Sequence, residues 1–296
     1  MNATATSLAR GSVRKTLGSV KAAWERLDSE MKLQQYRIRE YAPNVSFEFE
    51  RGDYTVKTVT DGRELEECLK LRFEVFHREY MNKRRTVGVD VDDLDLVCDH
   101  LMIREKSTGR AIGTYRLNSS KFTKTFYSAG EFDLGEILAI PGNKLELGRA
   151  CIDKAYRNGV VIALLWRGIA EYIRQTETAV LFGCASIKTM DPLQIGLLTQ
   201  HLIEKGFVLN EMHAKPTKKY RVKPLRSILE YIESNRYVYD AAETDKLVPA
   251  LFKSYLKAGA MVCGEPALDR EFHCIDFLTV LKIDELDPQM RSKFRV

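Results

Sequence analysis

A glutamate and an arginine three residues apart, Glu146 and Arg149, stand in an alternating stretch that passes through a glycine-containing turn into an apolar run (residues 144–166, KLELGRACIDKAYRNGVVIALLW). The pattern reads as strand, turn and helix. A turn of this kind leaves the first N–H groups of the helix unpaired and facing outward, a ready seat for a phosphate. Tyr156, Arg157, Asn158 and Gly159 form it. Strand–turn–helix alone is common in α/β proteins, so the residues around it must add the chemistry.

Two strongly charged segments flank this unit. Residues 81–97 are polar and carry Asp90, Asp92, Asp93 and Asp95. The glycine and closing glutamate of a calcium loop are missing, and no metal site is expected. A solvated loop is the plainer reading. Residues 213–226 (HAKPTKKYRVKPLR) hold Lys215, Lys218, Lys219, Arg221, Lys223 and Arg226 without one acid, and the prolines make the segment a loop or edge strand. Either it is solvated surface or it docks an acidic partner, and six uncompensated like charges favour the partner. The six cysteines lack CxxC spacing and mostly fall in apolar runs, which predicts reduced, buried thiols.

The elements that must hold these groups follow from the patterning. Residues 54–60 read as a strand, and Asp61 caps a helix over 62–80 that contains Arg72 and Phe76. Residues 100–105 and 111–118 form a hairpin, with Arg116 in its second strand. After the central strand come a helix over 160–175, a buried strand over 179–187 and a helix over 193–205 that starts at Asp191-Pro192. A helix over 247–257 and strands over 260–262 and 275–283 finish the chain. Alternating blocks with early hairpins predict a mixed α/β (α+β) sheet flanked by helices. At 296 residues, 45% hydrophobic and 29% charged, with a formal charge of +5, the chain has the composition of a globular protein. No apolar run approaches a membrane span and no secretory leader is visible, which predicts a cytoplasmic location. Residues 13–31 have the spacing of a basic amphipathic helix. It packs on its own domain or lies on anionic lipid at the inner face of the membrane. The expected division is therefore 1–50 for the polar tail and this helix, and 51–296 for the main domain with its C-terminal extension.

Six pieces in order, LRFEVFHREY (71–80), CDHLMIRE (98–105), GTYRL (113–117), LELGRACID (145–153), YRNGVVIALLW (156–166) and GEPALDREFHCIDFLTVL (264–281), resemble the GNAT acyltransferase superfamily. Within it the chain resembles the ornithine-lipid branch and the N-acyl amino acid synthases, related to the acyl-homoserine-lactone synthases. The resemblance implies transfer of a fatty, 3-hydroxylated acyl group from acyl carrier protein to the α-amine of an amino acid, with ornithine as the leading acceptor. No permanently bound cofactor is implied, only the acyl-phosphopantetheine of the carrier as co-substrate, and no nucleic acid is expected as a partner.

Glu146 and Arg149 fall at matching catalytic places in that resemblance. Glu146 is then the base, or orients the amine, and a structural ion pair between the two is the competing reading. Arg72, Phe76 and Arg116 match the substrate side, with the arginines holding Asp90 and Asp93 or a substrate carboxylate. Asp276, with Asp269 and Glu271, is a candidate for a substrate ammonium. The oxyanion would be held by backbone N–H groups where the central strand splays from 179–185.

Arg157, Asn158 and Gly159 would face the phosphopantetheine, and Lys218, Lys219 and Arg221 the carrier. The turn departs from the superfamily pattern, since Val160 and Val161 stand where a second small residue would let the backbone wrap a diphosphate. That favours a carrier-protein donor over acyl-CoA. An acetyl-CoA-dependent acetyltransferase, or a non-catalytic module of the same fold that binds lipid or RNA, remain the alternatives.

Overall fold

The computed structural model describes residues 35, 37–82, 88–235, 239–286 and 291. The helix expected over 13–31 lies outside them. The core is one nine-stranded sheet made of β1 (Glu48–Arg51), β2 (Tyr54–Thr58), β3 (Asp99–Glu105), β4 (Ala111–Ser119), β5 (Asn143–Ile152), β6 (Thr178–Ile187), β7 (Met261–Val262), β8 (Ala267–Asp269) and β9 (Cys274–Lys282). The order is β1-β2-β3-β4-β5-β6-β9-β7, with β8 also on β9. All pairings are antiparallel except β5 with β6, which are parallel and joined by a helical crossover. The expected mixed sheet is present.

Apolar residues sort the helices onto the two faces. On one face α3 (Gly159–Thr176) sets Val161, Leu165, Ile169 and Ile173 against Leu101, Leu117, Leu145 and Leu181. On the other face α1 (Gly62–Arg72) packs Leu65 and Leu69 on Met102. The 126–139 segment, which includes the short helix α2 (Gly135–Ala139), covers Phe182, Leu278 and Val280. Beyond the crossover, α4 (Pro192–Glu204), α5 (Leu225–Ser234) and α7 (Ala250–Ala258) bury Ile187, Ile275 and Phe277. The expected caps are formed: Asp61 accepts from Glu64 N at 2.9 Å and Asp191 from Gln194 N at 2.7 Å.

Several expectations need correction. The helix over 62–80 changes character at Phe73 and continues to Tyr80 with π-helical spacing. The helix expected over 247–257 begins later, as α7 (Ala250–Ala258) with Pro249 at its N-cap, and a separate helix α6 (Ala241–Leu247) precedes it. β1, β8, α2, α5 and α6 are not among the expected elements.

Two backbone features shape the centre of the sheet. The β4–β5 register runs Thr114↔Cys151 and then Arg116↔Gly148, so β5 carries one extra residue there, and Arg149 sits in the left-handed region at φ 51°. The β5–β6 register ends at Glu146↔Phe182, although both strands continue. The strands therefore splay where expected, and Leu147 leads β5 away. Gly183 keeps the gap tight, because a Cβ there would lie 2.2 Å from the Leu147 carbonyl oxygen.

Candidate active site

Cross-strand neighbours share a face. The pairs His100↔Arg116, Asn118↔Glu146 and Ser186↔Asp276 thus bring the polar residues of five strands onto the α1 side of the sheet. The α3 side stays apolar. At the splay, Leu147, Trp166, Leu181, Gly183, Tyr255 and Leu281 line a cavity of about 30 Å³, roughly the space of one water.

Glu146 is 3% exposed, and its carboxylate is filled with donors. Ser128 gives its N–H at 2.7 Å and its hydroxyl at 2.6 Å, Tyr127 its N–H at 2.9 Å and Asn118 its amide at 3.0 Å. It makes no ion pair with Arg149, which corrects the competing structural reading. As placed, Glu146 ties the 127–130 turn to the sheet.

Arg149 turns instead to the acidic loop. Its Nη2 lies 3.3 Å from Asp92, and its Nε lies 3.7 Å from Asp90 with no hydrogen-bond acceptor. Its guanidinium stacks between Tyr127 (5.0 Å) and Phe272 (5.1 Å). Arg72 and Arg116 are buried in the same cluster. Arg72 reaches Asp90 at 2.6 Å and Asp95 at 2.6 Å, and Arg116 reaches Asp92 at 2.7 Å and Asp95 at 3.0 Å. Burial alone would raise Asp90 and Asp95. The arginines outweigh it and hold both carboxyls below the usual carboxylate range. The expected role of Asp93 is corrected: it is exposed and pairs with Arg37 at 2.8 Å. Asp92 and Asp95 face inward because Asp92 caps the 3₁₀ turn 93–96 and Asp95 returns a bond to the Asp92 N–H. Phe76 is half-buried on the π-helical segment.

His100 is fully buried, with Nε2 2.8 Å from the Asp95 carbonyl, and burial pushes its pKa down to about 4, so the imidazole is neutral. Cys151 is buried too, its thiol pushed far above normal by burial, and is no nucleophile at neutral pH.

The acidic residues on the other side of Tyr127 differ. Glu131, Asp269 and Asp276 are 2%, 3% and 3% exposed, and none of them is in an ion pair among the described residues. Asp269 accepts from the N–H groups of Glu271 (2.7 Å) and Phe272 (3.1 Å), and Asp276 accepts from the Ser186 hydroxyl. Glu131 Oε2 has the Cys184 thiol at 3.7 Å, the Tyr127 phenol and the Asp276 carboxyl lie close to the same group, and Oε1 has no hydrogen-bond partner. Burial, reinforced by Asp276 and Asp269, pushes Glu131 up to about 8. Burial also raises Asp276 to about 6. Asp276 was expected in the site. Glu131 was missed, because it is a lone acid in an irregular segment and nothing beside it in sequence signals its partners.

Gly159 begins α3, and Asn158 caps it, accepting from Val160 N at 3.1 Å and Val161 N at 3.2 Å. Arg157 is paired with Glu79, Nη2 to Oε2 at 2.6 Å. The six basic residues of 213–226 are all exposed. Their segment is pinned by bridges Phe132↔Pro216 and Arg221↔Ala267, and Thr217 N donates to the Glu131 carbonyl at 2.7 Å.

A splayed parallel pair joined by a capped helix, on a mixed sheet with its polar groups on one face, fits the GNAT class, and residues 71–167 match the acetyltransferase (GNAT) domain model. An L-ornithine N(alpha)-acyltransferase from Rhizobium meliloti is 32% identical over 209 residues, covering 67% of this chain and 68% of that protein. One from Brucella abortus is 27% identical over 257 residues, covering 82% and 89%. The chain belongs to this L-ornithine N(alpha)-acyltransferase family and is an N-acyltransferase. Among solved structures, the N-acyl amino acid synthase FeeM from uncultured soil microbes aligns with TM-score 0.44 at 9% identity, over 81% of this chain and 95% of that one. The acyl-homoserine lactone synthase BjaI aligns with TM-score 0.42 at 16% identity, over 78% and 80%. No described helix is long and apolar enough to cross a membrane.

Proposed function

We propose that the chain moves a fatty acyl group, 3-hydroxylated as in the ornithine-lipid branch it resembles, from acyl carrier protein to the α-amine of ornithine. The observation that carries this reading is the splay of β5 from β6 between an apolar cavity and a wall of charged residues. A thioester carbonyl placed there has the apolar side chains of Leu147, Leu181 and Tyr255 on one side, where the cavity must widen to take a fatty chain, and polar groups for an amino acid on the other. Backbone N–H groups of β5 past Glu146, released from β6, are the candidates to hold the tetrahedral oxyanion. Glu146 acts by fixing the 127–130 turn and orienting the amine through it, and Arg149 holds the acceptor. Arg72 and Arg116, with Asp90, keep Arg149 in place.

The capping of α3 supports a carrier-protein donor. Asn158 occupies the amides of Val160 and Val161 that a diphosphate would need, and Arg157 is engaged by Glu79. A single phosphate makes smaller demands on this turn. The exposed basic strip with Lys218, Lys219 and Arg221 suits an acidic carrier, and its charge raises the encounter rate more than the final affinity. Peripheral contact with anionic membrane through the N-terminal residues belongs to the same reading.

The test offers purified protein a 3-hydroxyacyl carrier protein or the matching acyl-CoA, with ornithine and the common amino acids, and identifies products by mass spectrometry. N-acylornithine from the carrier donor, and little from the CoA, is the expected result. Product from the CoA donor alone would replace the carrier reading with the acyl-CoA one.

A further inference from the structure

The acids beyond Tyr127 form a buried cluster that no cation among the described residues pairs. Five elements close on it: Glu131 from the segment before α2, Cys184 and Ser186 from β6, Asp269 at the end of β8, Cys274 and Asp276 from β9, and Tyr80 at the end of the π-helical segment. Two polar atoms in it are buried without partners, Glu131 Oε1 and the Tyr80 hydroxyl. A buried polar atom left unpaired is costly, so a cluster holding two is one that a ligand can complete. Tyr127 joins this pocket to Arg149: its ring lies under the guanidinium, and its phenol is close to Glu131. A buried negative pocket and a guanidinium with a free Nε thus stand on either side of one aromatic ring.

We propose that the Glu131–Asp269–Asp276 pocket seats the side-chain ammonium of the acceptor and sets the preference for a dibasic amino acid, with Arg149 taking the acceptor's carboxylate. The proposal rests on the amino-acid acylation reading above. An ammonium offers three donors and no acceptor, which fits carboxylate oxygens that lack them. A site built to bind a polar group also rejects an analogue lacking it, because its own groups are then left unpaired.

Filling the pocket must release a proton. Empty, it holds Glu131 largely protonated at neutral pH, with Asp276, Asp269, Cys184, Cys274, Tyr127 and Tyr80 the titratable groups that face it. The nearby cations are directed elsewhere: Lys188 lies over the outer ring face of Tyr80 and bonds its carbonyl, and Arg149 is stacked on Tyr127. A bound ammonium favours the ionised carboxyls, so affinity for the acceptor rises with pH until Glu131 ionises unaided, near 8.

The experiment compares ornithine with norvaline, which shares the α-amine and carboxylate and lacks only the ammonium. With acyl carrier protein as donor, the ratio of kcat/KM for ornithine to that for norvaline is expected to fall about 10- to 100-fold in Glu131→Gln and in Asp276→Asn. Equal losses on both acceptors, or no change in the ratio in either folded variant, would overturn the proposal. Calorimetric titration of the full chain with ornithine, without donor, reads the site apart from the reaction. Its heats in buffers of different ionisation enthalpy should report uptake by the buffer of up to one proton per ornithine at pH 7, absent with norvaline. Binding with proton release but no acylation would retain the pocket and remove the proposed function. Acylation of ornithine with an unaltered acceptor ratio would do the reverse. Zinc binding in the titration cell with loss of ornithine turnover after EDTA would assign the pocket to a metal and overturn the ammonium proposal.

Discussion

Two buried charged clusters lie on the same face of this sheet, and they are built on opposite plans. Around Arg72 and Arg116 every carboxylate has a guanidinium, and Asp90 and Asp95 stay ionised well below the usual range. Around Glu131 and Asp276 no cation among the described residues forms an ion pair, and burial raises both carboxyls. Both clusters bury charge-bearing groups. In the first every carboxylate is answered by an arginine, whereas in the second Glu131 Oε1 has no hydrogen-bond partner, which is where the proposed ammonium would bind.

Breaking the complete cluster should have the largest effect. Arg72→Leu leaves Asp90 and Asp95 buried without their main partner, and a loss of about 3–5 kcal/mol is expected in urea denaturation. Glu131→Gln, which removes an unpaired acid, should leave the same midpoint unchanged or raised.

The pH dependence of stability should separate the clusters next. Asp90 and Asp95 have folded pKa values below their unfolded ones, so their contribution is present above about pH 4 and disappears as pH falls further. Glu131 and Asp276 are raised, so their contribution is present below about pH 4 and is lost as pH climbs, up to about 8 for Glu131. Denaturation midpoints from pH 5 to 8 should fall in the wild type with a slope that Glu131→Gln flattens. An identical slope in the variant would contradict the assignment.

Glu146→Gln tests the link between the clusters, because Glu146 holds the turn that carries Tyr127. An amide cannot accept all four bonds, so about 1–3 kcal/mol of stability should go. Turnover should drop for ornithine and norvaline alike, unlike the selective loss at Glu131. The smallest effect is expected at the surface. Reversing Lys218, Lys219 and Arg221 to glutamate should raise KM for the carrier-bound donor about tenfold at low salt, and the difference should shrink as salt screens it.

The parts of this arrangement legible in the sequence were those written locally. The strand, turn and helix over residues 144–166, the caps at Asp61 and Asp191, and the splay of the central strands could be read from spacing and turn chemistry or from resemblance. What escaped depended on distant partners. Asp93 and Asp95 are indistinguishable in a run of acids, and only the 3₁₀ turn capped by Asp92 sends one inward and the other to Arg37. Glu131 gains its meaning from Asp276 on β9. Helices α5 and α6 hid behind the prolines and charges of their surroundings.

The extra residue in β5 acts as a change of parity. Side chains of a strand alternate, so Arg149, an odd number of places from Glu146, would by count alone share the side of Leu145 and Leu147, facing the oily core under α3. One residue in a left-handed turn resets the alternation and delivers the guanidinium to the side of Tyr127 and Asp92, against a backbone cost of about 1–2 kcal/mol. The odd spacing of glutamate and arginine is therefore meaningful only together with that kink. A single-residue deletion between Arg149 and Cys151 would restore an even ladder and turn the guanidinium out of the site towards the apolar face.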